Sequence, residues 1–362
     1  MRFVDEYRGQ GEAKALLAAI AANVAGPVTL MEVCGGQTHS IIKYGIDELL
    51  PAEITLLHGP GCPVCVTPVS LIDHAVTLAE RREVILTSFG DMLRVPGSHA
   101  DLLQVKAAGG DVRIVYSPLD AVTLAQSHPQ RQVVFFAVGF ETTAPAVALA
   151  IQRASALEVS NFSILCAHVL VPPALVALLT APDNRVQGLL APGHVCAVMG
   201  FWQYEPLAER YRVPIVVTGF EPFDLLQGIA QAVVAVRDHK YEVKNEYGRA
   251  VTRRGNEAAQ QAIETVFAVC DREWRGIGVI PASGLELRPP FCAFDAVARF
   301  DLRDAVATVA TECIAGEVLR GRKRPLACPA FGVRCTPEHP LGAPMVSAEG
   351  VCAAYYQFGR RS

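Results

Sequence analysis

The chain has 362 residues, of which 51% are apolar and 19% are charged, and its formal net charge is −4. This composition excludes a disordered chain and predicts two or three domains with large cores, and the weak charge gives no reason to expect nucleic-acid binding. Residues 1–11 lack the apolar stretch of a signal peptide. No apolar run approaches the ~20 residues that cross a bilayer. We therefore expect a cytoplasmic protein.

Predicted elements begin with a helix near residues 12–24, which Gly26-Pro27 ends. From Val28 onward, apolar strand-like runs alternate with helical stretches such as 68–82 and 144–156. This alternation predicts an α/β fold with parallel sheets covered on both faces. The predicted strands lie near residues 28–33, 53–57, 83–88, 112–116, 132–138, 162–166, 186–190 and 213–218.

Four strands followed by four strands suggest two similar α/β domains, which we place at residues 28–128 and 129–238. The alternation stops after Asp238, and a predicted helix over residues 257–270 precedes a proline-rich tail. We assign this tail to a third, irregular domain formed by residues 1–27 and 239–362. The N-terminal helix is placed there because the α/β units need nothing before Val28.

The eleven cysteines are not expected to form structural disulfides, because the cytosol keeps thiols reduced. Some lie in apolar surroundings and are interpreted as inert small hydrophobic residues. These are Cys166, Cys196, Cys270 and Cys292. The others are candidates for chemistry, namely Cys34, Cys62, Cys65, Cys313, Cys328, Cys335 and Cys352.

Two glycine-rich turns, CGGQTH at residues 34–39 and GPGCPVC at residues 59–65, each follow a predicted strand and precede a predicted helix. Helix N-terminal amides favour the thiolate, which binds metals and attacks electrophiles. Cys34 on such a turn suits a soft metal or a nucleophile. The CxxC pair of Cys62 and Cys65 suits a redox dithiol or half of a metal site. His39 is interpreted with equal weight as a ligand or as a structural histidine.

Carboxylates and imidazoles also follow predicted strands in the second half of the α/β region. Glu141 and Glu221 lie in the related motifs GFETT and GFEPF, and His168 and His194 also come directly after strands. Helix capping explains acidic residues at such positions equally well, and each histidine taken alone is better explained structurally. Together they suggest a polar cleft that faces the thiols of the first domain.

The tail carries four cysteines separated by 14, 6 and 16 residues: Cys313, Cys328, Cys335 and Cys352. Zinc sites commonly use two close cysteine pairs, whereas an iron–sulfur cubane accepts widely spaced thiolates. The spacing therefore favours a cluster, with zinc or no metal left as alternatives.

The combination of CGGQTH, GPGCPVC, GFETT and the four tail cysteines resembles the HypD family of nickel–iron hydrogenase maturation proteins over essentially the whole chain. The resemblance implies two Rossmann-like domains and a third domain in which the tail thiols ligate a 4Fe–4S cluster. It also implies a scaffold on which transient iron receives two cyanides and one carbon monoxide. The partners implied are the HypC chaperone and the cyanide donor HypE, which HypF supplies.

By the same resemblance, Cys34 holds the iron together with a HypC cysteine, and Cys62 and Cys65 form the redox pair of the same cleft. We hypothesise that electrons pass from the cluster to the CxxC and on to the iron, which requires the third domain to lie against the first. One alternative is a cluster-dependent thiol–disulfide reductase that acts on a protein. Another is a zinc-stabilised binding protein without a redox role.

Overall fold

The computed structural model describes residues 10–302 and 312–359. All eight predicted strands are present, and three further strands follow them. The strands are β1 (Val28–Glu32), β2 (Ile54–His58), β3 (Val84–Ser88), β4 (Val112–Ile114), β5 (Gln132–Gly139), β6 (Phe162–His168), β7 (Gly188–Pro192), β8 (Ile215–Thr218), β9 (Val243–Asn245), β10 (Phe267–Trp274) and β11 (Gly278–Leu287).

The helices fill the spaces between strands as the alternation predicts, and short 3₁₀ turns occur at Gly90–Arg94 and Ala343–Met345 among others. None of the described helices is both long and apolar enough to span a bilayer. The helices are α1 (Gln10–Asn23), α2 (Gly35–Lys43), α3 (Ile46–Leu49), α4 (Pro63–Val66), α5 (Val69–Ala79), α6 (Leu102–Ala107), α7 (Pro118–Ser127), α8 (Ala144–Ala156), α9 (Val171–Leu179), α10 (Gly193–Met199), α11 (Glu205–Tyr211), α12 (Pro222–Arg237), α13 (Glu257–Val266), α14 (Ala296–Arg299), α15 (Ala315–Leu319) and α16 (Val351–Phe358).

Two parallel sheets form the centre of the described structure, so the prediction of an α/β fold with Rossmann-like units is confirmed. One sheet has the strand order β2-β1-β7-β8-β9 and the other has the order β4-β3-β5-β6. Their central strands are buried almost throughout, as in β3, β7 and β8. Such strands read as continuous apolar runs because helices cover both faces of a parallel sheet.

A domain boundary between residues 128 and 129 would place β1–β4 in one sheet and β5–β8 in the other. The strands do not pair in this way. β1 and β2 join β7 and β8 in one sheet, and β3 and β4 join β5 and β6 in the other. Each sheet therefore combines strands from both predicted segments. One local reason is the β1–β7 contact, where Leu30 lies opposite Gly188 and its side chain occupies the space that a Cβ at Gly188 would need.

The prediction of a helix over residues 257–270 is wrong for its last four residues. Helix α13 ends at Val266, and β10 then pairs with β11 in an antiparallel hairpin. From Ala268 to Trp274 less exposed and more exposed residues alternate, which is the period of a strand. Cys270 therefore lies on a strand, and Cys292 is exposed rather than buried, whereas Cys196 is fully buried as expected.

The N-terminal helix and the C-terminal helix both pack on the sheet that contains β1. Helix α1 packs along α12, with Ile20 buried in the same core as Leu30, so its main partner is an α/β helix rather than the tail. Helix α16 packs on α2, the helix that follows Cys34. The tail is thereby brought against the turn that carries the first candidate thiol.

Candidate thiol sites

The Cys34 turn and the CxxC turn lie side by side because β1 and β2 are adjacent parallel strands. The amide of Gly35 donates a hydrogen bond to the Gly61 carbonyl over 2.8 Å. A Cβ on Gly61 would overlap with the backbone of Cys34, and one on Gly35 would lie 3.3 Å from the Cβ of Cys62. Glycine is required for this close approach of two backbones. The structure thus brings the three predicted thiols to one edge of one sheet.

The CxxC occupies the first turn of α4, with Cys62 as the residue that precedes the helix. The two cysteines are joined as a disulfide, with their Cα atoms 5.2 Å apart. The Cys65 amide lies 3.3 Å from the Cys62 sulfur, and Cys62 and Cys65 are 3% and 1% exposed. A pair at a helix N-terminus has the position that favours thiol–disulfide exchange.

Burial dominates the electrostatics of Cys34. The pKa of this thiol is raised to about 12, mainly by burial and to a smaller extent by the nearby carboxylates of Glu32 and Glu349, while the amides of Gln37 and Gly36 act in the opposite direction. The sequence-based expectation of a helix-stabilised thiolate is therefore wrong for the metal-free state, because loss of solvation outweighs the helix N-terminus. Cys34 is a neutral thiol until a cation takes the place of its proton.

A buried polar chain, which the sequence analysis did not predict, supports the Cys34 turn. Glu32 is completely buried, and its Oε2 accepts a hydrogen bond from the Cys34 amide over 2.8 Å. Its Oε1 accepts a hydrogen bond from the Thr38 hydroxyl and lies 2.7 Å from Nδ1 of His58. His58 lies directly opposite Glu32 on the neighbouring strand β2. Nε2 of His58 lies 3.3 Å from the Tyr355 hydroxyl on α16. A glutamate inside the apolar run of β1 is the sequence signal that could have identified this chain.

His39 lies on α2 but serves as a contact with the tail. Its Nδ1 lies 3.0 Å from the carbonyl oxygen of Ala348, and its ring meets Phe358 edge to face at 5.1 Å. These contacts favour the structural interpretation of His39 over the ligand interpretation.

His194 borders the Cys34 turn through an aromatic neighbour. Its ring stacks on Phe220 with centroids 3.8 Å apart, and partial desolvation lowers the pKa of His194. Phe220 also lies next to Gly36 of the Cys34 turn. A Cβ added to Gly36 would lie 3.1 Å from the Phe220 ring and 3.9 Å from the Cys34 sulfur. The His194 residue remains exposed to solvent.

The two glutamates of the related motifs have different surroundings. Glu221 begins α12, where its amide donates to the Asp224 carboxylate over 3.3 Å, so the capping interpretation holds there. Glu141 is 2% exposed, and its Oε1 accepts from the Val171 amide over 2.9 Å. Its Oε2 has no hydrogen-bond partner in the part of the chain that the structure describes, and burial raises the pKa of Glu141 to about 7. His168 is also buried in the core, with Nε2 3.2 Å from the Thr143 hydroxyl.

The four tail cysteines line a single small cavity together with Met345 and Phe331, among others. A Cβ on Gly342 would overlap with the Cys313 sulfur, so this glycine leaves room for the thiol. The amide of Leu341 lies 3.4 Å from the Cys335 sulfur and donates to it. The structure therefore brings together the four thiols that the sequence analysis singled out: Cys313, Cys328, Cys335 and Cys352.

Mutual repulsion and burial oppose ionisation in this cavity. Burial raises the pKa of Cys352 well above its ordinary value, and the other three thiols add to the effect. Four thiolates can therefore coexist here only with a compensating cation. Within residues 10–302 and 312–359, no three His, Cys, Asp or Glu side chains converge closely enough to hold a single metal ion.

The two thiol sites are neighbours in space. The 3₁₀ turn Ala343–Met345, part of which lines the four-thiol cavity, packs against α4, which carries Cys65. The Val64 side chain packs into the same apolar cluster as Ala343 and Val346. Nη2 of Arg94 donates to the Val346 carbonyl over 2.7 Å and ties this segment to the end of β3.

Comparison with known proteins gives a consistent family. The family model HypD, described as the hydrogenase formation hypA family, matches residues 11–359. The chain is 49% identical over 368 residues to the hydrogenase maturation factor HypD of Escherichia coli strain K12, covering 99% of this chain and 98% of the relative. It is 48% identical over 371 residues to HypD of Rhodobacter capsulatus, with 99% and 98% covered. It is 48% identical over 372 residues to the hydrogenase expression/formation protein HupD of Azotobacter chroococcum, with 100% and 98% covered. The chain therefore belongs to the HypD family of hydrogenase formation proteins.

Proposed function

We propose that this protein is the scaffold on which the iron centre of a nickel–iron hydrogenase receives two cyanides and one carbon monoxide. The observation that carries the proposal is the adjacency of a lone buried thiol, a CxxC pair and a four-thiol cavity. A lone thiol can hold a substrate ion, and the other two groups can supply electrons. The proposed setting is the cytoplasm, because metal-binding thiols need a reducing compartment.

Cys34 is the residue proposed to hold the substrate iron. Thiolate is a soft ligand that suits iron carrying cyanide and carbon monoxide. Because the metal-free thiol is protonated, iron binding releases the proton of Cys34, and the adjacent Glu32 carboxylate favours the incoming positive charge. A single thiol leaves iron ligand positions open, which fits a second protein ligand from a HypC-type chaperone and ligand delivery by a HypE-type cyanide donor.

The four-thiol cavity fits a 4Fe–4S cluster better than it fits four free thiols. The space beside Gly342, the Leu341 amide that donates to Cys335, and the repulsion at Cys352 all suit negatively charged sulfurs around a cationic core. The cluster would transfer one electron at a time. The residues proposed to hold it are Cys313, Cys328, Cys335 and Cys352.

The CxxC is proposed to collect electrons for the iron site. Reduction of the Cys62–Cys65 disulfide takes up two electrons and two protons and leaves two thiols. Helix α4 packs against the turn Ala343–Met345, so the pair lies between the four-thiol cavity and Cys34. This supports the electron path hypothesised from the sequence.

Anaerobic co-purification with a HypC-type chaperone tests the proposal. Infrared spectra are expected to show cyanide and carbonyl bands, and Mössbauer spectra are expected to show iron beyond the cluster. Cys34→Ala should abolish these bands and keep the cluster absorption, whereas Cys292→Ala, at an exposed cysteine outside both sites, should change neither.

Normal infrared bands in Cys34→Ala would contradict the proposed iron ligand. The second candidate function, a cluster-dependent thiol–disulfide reductase, is favoured only by the closed Cys62–Cys65 pair beside the four-thiol cavity. That function predicts cluster-coupled reduction of a protein disulfide and no iron beyond the cluster, so the same spectra separate the two.

A further inference from the structure

Arg275, at the turn of the β10–β11 hairpin, is anchored to the CxxC helix. Its amide donates to the carbonyl of Val66, the last residue of α4, over 2.7 Å. Its Nη2 donates to the Pro96 carbonyl over 3.2 Å. The backbone of Arg275 is therefore fixed at the C-terminal end of the helix that carries Cys65.

The same hairpin turn lies against the segment that begins with Cys313. A Cβ on Gly276 would lie 2.7 Å from the Cα of Gly316, so the two backbones touch. Nη2 of Arg320 donates to the Ile277 carbonyl over 2.6 Å and closes the contact. The turn that carries Arg275 thus lies between the CxxC helix and α15, which begins two residues after Cys313.

The guanidinium of Arg275 is buried and only partly hydrogen-bonded. Its Nη1 is buried and has no hydrogen-bond partner among the described residues. Burial lowers the pKa of Arg275, and the charges that oppose this effect are first that of Cys313 and then that of Asp73. The Asp73 carboxylate also accepts two hydrogen bonds from Ser98, at 2.7 and 2.6 Å, so Arg275 shares this anion with Ser98. A buried cation is unfavourable unless anions lie nearby.

We propose that Arg275 is the counter-ion of the four-thiol site and that its positive charge favours electron uptake there. This inference rests on the proposed function, because it requires a cluster at that site. Four thiolates around a 4Fe–4S core carry a net negative charge, and one-electron reduction adds one more. A fixed guanidinium stabilises the more negative state, and Arg cannot lose its charge under ordinary conditions. Arg275 would act as a positioning charge for the electron path and not as a ligand.

Redox equilibration of the cluster-loaded full-length chain with a viologen dye tests this role. The reduced dye donates one electron, and visible absorbance reports the fraction of cluster reduced. In Arg275→Gln the equilibrium constant for reduction should fall about tenfold, which is about 59 mV for one electron. Arg275→Lys keeps the positive charge, so its equilibrium constant for reduction should stay close to that of the wild type.

Arg272→Gln is the matched control. Arg272 lies on the same hairpin, and its Nε is also buried, with no hydrogen-bond partner within residues 10–302 and 312–359. Its Nη2, however, bonds the Leu285 carbonyl at 2.6 Å and the Cys270 sulfur at 3.4 Å, away from the tail thiols. Its removal should leave the equilibrium unchanged. An unchanged equilibrium in Arg275→Gln, or the same shift in Arg272→Gln, would overturn the inference.

Thermal unfolding of cluster-free and cluster-loaded protein separates a charge role from a structural one. If the guanidinium is stabilised mainly by the charge of the four-thiol site, Arg275→Gln lowers the unfolding midpoint of the loaded chain more than that of the cluster-free chain. Equal decreases in both forms would make Arg275 merely structural and overturn the inference.

Cluster retention gives two further outcomes. Loss of cluster in Arg275→Gln with retention in Arg275→Lys supports a charge role, and loss in both opposes it. A wild-type chain that takes up no cluster after anaerobic reconstitution refutes the cluster proposal itself.

Discussion

The two thiol sites of this protein are built in different ways. Cys34 and the CxxC lie on short turns at the carboxyl edge of a parallel sheet, where Gly61 and Glu32 fix the backbone without any metal. Three of the four tail thiols lie in a segment with little regular structure, the fourth, Cys352, lies on α16, and all four line one cavity. The first site is therefore preformed by the fold.

The difference teaches what bound metal contributes to each site. At the first site the backbone positions are set by strand pairing and by buried hydrogen bonds, so the proposed iron could arrive and leave without loss of structure. At the second site the thiols oppose one another when ionised, so the cationic core of the proposed cluster would become part of the fold. This division suits a transient substrate at one site and a resident cofactor at the other.

Loss of the cluster should have the largest effect and tests this comparison directly. Cys335→Ala, or removal of the metal with a chelator, is expected to abolish cluster absorption and to destabilise the tail by several kcal/mol, because ligation contributes folding energy. Hydrogen exchange should then increase in residues 312–359 and stay slow in β1 and β2. A full cluster spectrum in Cys335→Ala would contradict the ligand assignment, and Cys292→Ala serves as the control.

Breaking the buried pair at the first site should have the next largest effect. His58→Ala removes the imidazole partner of the buried Glu32 carboxylate and leaves it only the bonds from Cys34 and Thr38, which should cost about 3–5 kcal/mol of unfolding free energy. Tyr355→Phe removes only the hydroxyl that contacts His58 and should cost about 1 kcal/mol. Denaturant titration measures both values.

The matched control for this series is Tyr356→Phe, on the same helix, whose ring packs on Phe331. If His58→Ala costs no more than this control, the first site is not preformed by the buried chain. Iron loading measured in Tyr355→Phe then shows whether the contact with α16 matters for Cys34 beyond stability.

Substitution of Glu141 should have the smallest effect on stability, and this effect should not depend on bound metal. Its pKa of about 7 in the folded protein lies above that of an exposed glutamate, because burial disfavours the charge. The folded state thus holds a proton that the unfolded state loses between about pH 4.5 and 7, and stability falls as the pH rises through this range.

Glu141→Gln should therefore be more stable than the wild type by up to about 3 kcal/mol at pH 8 and equally stable near pH 4. Thermal unfolding at both pH values, with and without cluster, measures the difference. A difference that does not vary with pH would show that the buried carboxyl is not the cause. A difference that varies with cluster loading would show that Glu141 communicates with the four-thiol site.

Much of the fold follows from local patterns. The strands from Val28 to Thr218 were predicted because apolar runs bounded by turn residues carry their own signal. The pairing of these strands was not predicted, because β1 and β7 are distant along the chain and their pairing depends on how distant segments pack together. The change from helix to strand at Phe267 was also missed, because short apolar stretches fit both periods.

The sequence by itself determined which thiols are candidates for chemistry, because glycine turns after strands and a loop-rich cysteine tail are local features that need no partner to be recognised. Only the tertiary structure decided the surroundings of those thiols. Glu32, His58 and Tyr355 are far apart along the chain, as are Arg275 and Cys313. Burial and electrostatic interaction depend on distance in space, so no local pattern could have predicted the raised pKa of Cys34 or the buried guanidinium beside the tail.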